Sequence, residues 1–126
     1  MILVFGGAYQ GKLDYVRERF ELSEEDIYFC GEEDSRMPQG KSAVYELDKW
    51  VLALVKANKD VMNEIAQFEK LNPDAVVICN DISCGVVSVC PIFRKWREET
   101  GRAMGRLAQC SDEVVRLFCA IPTRLK

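Results

Sequence analysis

Ile2-Leu3-Val4-Phe5-Gly6-Gly7-Ala8-Tyr9-Gln10-Gly11-Lys12-Leu13 opens the chain with an apolar run, a glycine-rich turn and a lysine. Residues 6–12 fit the first seven positions of G-x-x-x-x-G-K-[ST], a pattern whose backbone N–H groups face an anion while the lysine reaches the outer phosphates. The flanks agree with it. A buried strand leads in, and Leu13, Val16 and Phe20 repeat at helical spacing on the way out. The eighth position departs: Leu13 stands where the pattern has Ser or Thr, so no hydroxyl is offered there to Mg²⁺. A bare glycine turn with a solvated lysine is the plain alternative. Strand, loop, lysine and helix in sequence favour phosphate binding, with Gly6, Gly7, Ala8, Tyr9, Gln10, Gly11, Lys12 and Leu13 as the cradle.

Working outward, the chain alternates strands and helices. Leu13 to Glu21 reads as a short helix and Asp26 to Cys30 as a strand. A polar stretch from Gly31 to Lys41 follows. Ser42 is placed to cap a helix carrying Val44, Leu47, Val51, Leu54 and Val55, and Asp60 to cap another with Val61, Ile65, Phe68 and Leu71. Ala75-Val76-Val77-Ile78-Cys79 is uninterrupted and apolar, as in a strand covered on both faces. It runs into Asn80-Asp81. A carboxylate at the end of a buried strand either holds Mg²⁺ or water beside a phosphate, or caps a turn; the loop at the start of the chain favours the metal. Pro91 opens a long helix with Phe93, Trp96, Thr100, Ala103, Met104 and Leu107 on one side. Arg97 flanks that side, placed to reach a ligand or form an ion pair. Gly101 and Gly105 weaken this helix, which predicts close packing there. A last strand, Glu113 to Cys119, precedes a polar tail. The expected fold is α/β: a mainly parallel sheet of about four to five strands with helices on both faces and ligands at the strand carboxyl ends.

Composition narrows the function classes. The 126 residues suit one nucleotide-binding domain spanning 1–126, and a net charge of −3 gives no general attraction to nucleic acid or anionic membrane. No apolar run approaches the roughly 20 residues that cross a bilayer, and a cytoplasmic location is expected. Six cysteines without a C-x-x-C pair, and no histidine, argue for reduced thiols rather than zinc. Cys79 and Cys119 sit in apolar strand-like runs; Cys84 and Cys90 flank a loop.

The closing third carries a resemblance. Asn80-Asp81-Ile82-Ser83-Cys84-Gly85-Val86-Val87, then Arg94-x-Trp96-Arg97-Glu98-x-x-Gly101-Arg102, then Arg106-Leu107-Ala108 and Asp112-Glu113-Val114, follow in order the motifs of one family. With Gly6-Gly7-Ala8 and Gly11-Lys12, the chain resembles the bifunctional adenosylcobinamide kinase / adenosylcobinamide-phosphate guanylyltransferase family. The resemblance implies a P-loop kinase in which ATP or GTP phosphorylates a hydroxyl of a corrinoid, with Mg²⁺ as cofactor. Lys12 and Asp81 would be catalytic and Asp81 the metal anchor, in place of the family's Glu; Arg97 would be a phosphate or substrate contact. It also implies a ring-like homo-oligomer. The family's V-D-C-L-T strand, with a second metal-anchoring aspartate, is not legible in the shortened centre. In the family GMP is carried on a histidine, so its guanylyltransferase step has no residue to use here. A nucleotide-binding accessory or regulatory protein without turnover is the alternative.

Overall fold

The computed structural model describes residues 1–8, 10–82 and 89–126. Tyr9 of the loop pattern and residues 83–88, with Cys84, lie outside them.

The period-two alternation of the apolar runs organises the protein into two half-cores on one sheet. Strands β1 (Ile2–Gly6), β2 (Ile27–Phe29), β3 (Ala43–Tyr45), β4 (Val76–Asn80), β5 (Glu113–Phe118) and β6 (Ile121–Arg124) lie in the order β2-β3-β4-β1-β5-β6. All neighbouring pairs are parallel except β5–β6. Leu3, Val44, Val77, Cys79 and Val114 point to one face, where they meet helices α2 (Leu47–Lys56), α3 (Val61–Leu71) and α4 (Pro91–Cys110). Val4, Ala43, Val76, Ile78, Val115 and Leu117 point to the other, where α1 (Lys12–Phe20) covers them with Val16. Helices therefore flank a mainly parallel sheet, as the alternation predicts. Trp50 and Phe68 anchor the thicker side, their ring centroids 5.5 Å apart.

The helix expected from Ser42 is divided. Ala43–Tyr45 forms β3, paired with β4 through Ala43↔Val76 and Val44↔Val77, and α2 begins only at Leu47. The spacing of Val44, Leu47 and Val51 imitates a helical stripe, but open hydrogen-bonding edges on both sides claim the segment as a strand. Asp60 caps α3 as expected, accepting from the Asn63 N–H at 3.2 Å. Gly101 and Gly105 are exposed, and a Cβ at either would meet nothing within 4 Å; the predicted close packing there is absent.

The chain's last segment is also a correction. Beyond Phe118 it turns back as β6, a sixth and antiparallel strand where a polar tail was expected. Its four residues are all exposed, so no apolar alternation announced it. The Leu125 N–H bonds inward to Val114 O, so by alternation position 122 faces the open edge. Pro122, lacking a donor, blunts that edge against further pairing. Cys119 lies in the turn and is exposed rather than buried in a strand.

Candidate functional site

The described residues of the glycine-rich segment join β1, in the middle of the sheet, to the start of α1. Gly6 closes β1 against its neighbour: a Cβ there would lie 2.4 Å from the Leu117 carbonyl oxygen. Gly11 takes a left-handed conformation (φ 80°) as the residue before α1, a conformation that glycine adopts without penalty. Both glycines of the pattern thus have a steric reason. Gln10 is tied down between them: its carbonyl accepts from the Ala120 N–H at 3.1 Å, and its side-chain Oε1 accepts from the Cys119 N–H. Since C=O and N–H oppose each other in a trans peptide, the Gly11 N–H is directed away from that hairpin.

Lys12 is the first residue of α1 and only 5% exposed. Its ammonium donates to the Gly7 carbonyl at 2.5 Å, curling back over its own loop. Burial lowers its pKa, with Asp48 as the largest opposing influence. A desolvated ammonium whose hydrogen-bond acceptor is a neutral carbonyl is poised for an anion, which would restore the lost solvation.

This lysine lines a cleft of about 700 Å³. Ala8, Gln10, Gly11 and Leu13 form the same wall; Tyr45, Glu46 and Lys49, from the end of β3 and the start of α2, form the opposite one. Asn80 contributes from the end of β4. The cleft thus lies at the carboxyl ends of three parallel strands, as the fold class predicts.

Behind it sits Asp48, 3% exposed, accepting from the Asn80 N–H at 3.1 Å and from Asn80 Nδ2 at 3.3 Å. The backbone carbonyl of Asp48 accepts from Trp96 Nε1 at 2.7 Å, which ties α2 to α4. Burial raises the Asp48 pKa against the lowering effect of the Asn80 bonds. Burial also pushes the Cys30 thiol up to about 12, and Cys79 is raised well above its ordinary value. These thiols stay protonated and behave as apolar groups.

Asp81 and Arg97 come together, but not in the cleft of Lys12. They line a separate cavity of about 220 Å³ with Thr100 and Gly101. Thr100 is 1% exposed, and its Oγ1 has no hydrogen-bond partner among the described residues. The Asp81 N–H donates to Gly6 O at 2.8 Å, so the end of β4 is fastened to the start of the phosphate loop.

Sequence reasoning missed Glu46, Asp48 and Lys49. Glu46 follows β3 directly and precedes α2. Dividing residues 42–55 into strand and helix would have exposed it. Its backbone is left-handed (φ 59°), unusual for a non-glycine residue.

The fit of Mg²⁺ can be judged from these donors. Mg²⁺ demands oxygen ligands in near-octahedral array. Leu13 has none, and its side chain packs onto the α1 half-core. Glu46 Oε2 is engaged by Lys49 Nζ at 2.8 Å, Asp14 lines the cleft from the exposed side of the first turn of α1, and Asp81 borders the other cavity. Among the described residues no group of three or more His, Cys, Asp or Glu converges on a metal position. The cleft thus offers no loop hydroxyl, and of the two carboxylates that line it, Asp14 and Glu46, the second is ion-paired with Lys49.

Among the described residues no helix is long and apolar enough to cross a membrane. Comparison with curated proteins returned no significant match. A family model described as cobinamide kinase / cobinamide phosphate guanyltransferase matches residues 40–125, about two thirds of the chain. The match begins downstream of residues 6–13 and does not extend to the glycine-rich loop.

Proposed function

The chain belongs to the cobinamide kinase / cobinamide phosphate guanyltransferase family, and from that premise we propose that it is a kinase-type phosphotransferase that holds ATP or GTP at residues 6–13. The acceptor is a hydroxyl of a corrinoid. The observation that carries this reading is Lys12, a buried ammonium bonded back to Gly7 O in a cleft large enough for a polyphosphate. Phosphoryl transfer asks the protein mainly to position the reactants and neutralise charge. In the proposed step the acceptor hydroxyl oxygen bonds to the terminal phosphorus and gives up its proton to solvent, the bond to the bridging oxygen breaks, and a nucleoside diphosphate leaves. Lys12 offsets the charge that gathers on the bridge. Asp81 and Arg97, one residue beyond Asn80 and across the smaller cavity, are the candidates for the acceptor side. Guanylyl transfer through a histidine is left out of the proposal, because this chain has no histidine.

The experiment is phosphoryl transfer from γ-labelled ATP and GTP to cobinamide, beside Lys12→Ala. Labelled product that disappears in the variant supports the kinase. Nucleotide bound without product supports the second reading, a nucleotide-binding accessory protein without turnover. Leu13 and the Glu46–Lys49 pair favour that reading, since the loop hydroxyl is missing and one of the cleft's two carboxylates is already engaged.

A further inference from the structure

We propose that the Lys49 ammonium, rather than a protein-anchored divalent cation, supplies the second positive charge to a polyphosphate in this cleft. The inference rests on the nucleotide reading above and specifies how the site neutralises its ligand. A nucleoside triphosphate concentrates several negative charges, and one lysine leaves most of them unmatched. The usual second source is a metal ion held by a loop hydroxyl and a strand-end carboxylate. At this cleft neither is freely offered. Leu13 replaces the hydroxyl and contributes to the core beneath α1. Glu46, the carboxylate that follows β3 at the cleft, is bonded to Lys49 Nζ at 2.8 Å, so an ammonium already stands beside it.

The placement argues against an idle surface pair. Lys49 lies on the first turn of α2, with its backbone N–H bonded to Glu46 O at 2.9 Å, so backbone and side chain fasten it to the same residue. Glu46 keeps only 19% of its side chain exposed, and both residues line the cleft opposite Lys12. Hydrogen bonding to Glu46 raises the Lys49 pKa, so the charge persists through neutral and mildly alkaline pH. A polyphosphate between the walls would lie between two ammonium groups. Among the described residues, Lys12 and Lys49 are the two cations that line it. Glu46 then orients Lys49, in the way a carboxylate orients a catalytic lysine's flexible stem.

The test is binding of ATP and of GTP to the full chain by calorimetry and by melting-temperature shift, each in EDTA and in excess Mg²⁺. Native protein is expected to bind with the same affinity, within about threefold, in both conditions. Lys49→Ala should bind about tenfold or more weakly in EDTA, the effect of losing a charge-assisted hydrogen bond. Lys49→Arg should recover most of it. Unchanged urea midpoints would show that the variants are folded. Native binding that is lost in EDTA, or Lys49→Ala binding that equals native, would overturn the inference while leaving the nucleotide reading intact. No binding of either nucleotide in either condition would overturn both.

Discussion

Removing the Asp48 side chain tests how the cleft is held together. Asp48→Ala deletes two hydrogen bonds to a carboxylate, from Asn80 N at 3.1 Å and Asn80 Nδ2 at 3.3 Å, and leaves the Asn80 N–H without its acceptor. Hydrogen bonds to a charged group are worth about 1.5–3 kcal/mol each. The second is long, and loss of the buried carboxylate relieves a desolvation penalty that burial reveals by raising the pKa. The net cost is therefore about 2–3 kcal/mol, a fall in melting temperature on the order of 10 °C for a chain of this length. Asp48→Asn keeps an acceptor for the backbone N–H and should cost about 1 kcal/mol. Urea unfolding at neutral pH gives both values, and a pH series separates charge from shape. A carboxyl whose folded pKa is raised binds its proton more readily folded than unfolded. The native protein should therefore gain stability relative to Asp48→Asn as the pH falls from neutral through the folded pKa of Asp48, and level off below the unfolded value. An alanine variant within about 0.5 kcal/mol of native would refute the reasoning, as would a native protein that loses ground to the Asn variant on acidification.

Other substitutions read other parts of the account. Gly6→Ala places a Cβ 2.4 Å from the Leu117 carbonyl oxygen and should destabilise by about 1–3 kcal/mol, measured by urea unfolding; a neutral result would remove the steric explanation of that glycine. Gly105→Ala meets open space in an exposed helix interior and should raise the melting temperature by about 4 °C, the effect of about 1 kcal/mol of helix propensity; no rise would mean that α4 is not helical there in solution. The β5–β6 turn places Cys119 (φ 50°) and Ala120 (φ 62°) both in left-handed backbone. Asn and Gly suit such a turn, so Cys119→Asn with Ala120→Gly should stabilise by about 1–2 kcal/mol while keeping the backbone bonds to Gln10. A loss of stability would contradict the turn geometry.

The amphipathic periods carry most of the fold. The runs at residues 2–5 and 75–79 are apolar on both faces because α1 covers one side and α2–α4 the other. Two segments were not legible. Residues 43–45 are too short for a period to declare itself, and only pairing with β4 reveals them as a strand. Residues 121–124 are all exposed, held by backbone bonds that no side-chain pattern reports. The candidate site divides the same way. Glycines and a lysine at fixed spacing are a local signal, so Gly6, Gly11 and Lys12 could be read directly. Asp48 and Lys49 enter the site only because α2 starts at the end of β3 and packs beside β4, an arrangement set by tertiary contacts. Asp81 and Arg97, more than a dozen residues apart, do share a cavity. Their separation from the cleft of Lys12 is a property of the sheet that motif spacing does not encode.

The most direct test of the central claim is the affinity of the native chain and of Lys12→Ala for ATP and GTP by titration calorimetry, with urea unfolding as the control for folding. A nucleotide site at the phosphate loop predicts binding by the native chain and a loss of about tenfold or more in the variant. Equal affinity in the two proteins, or no binding by the folded native chain, would contradict it.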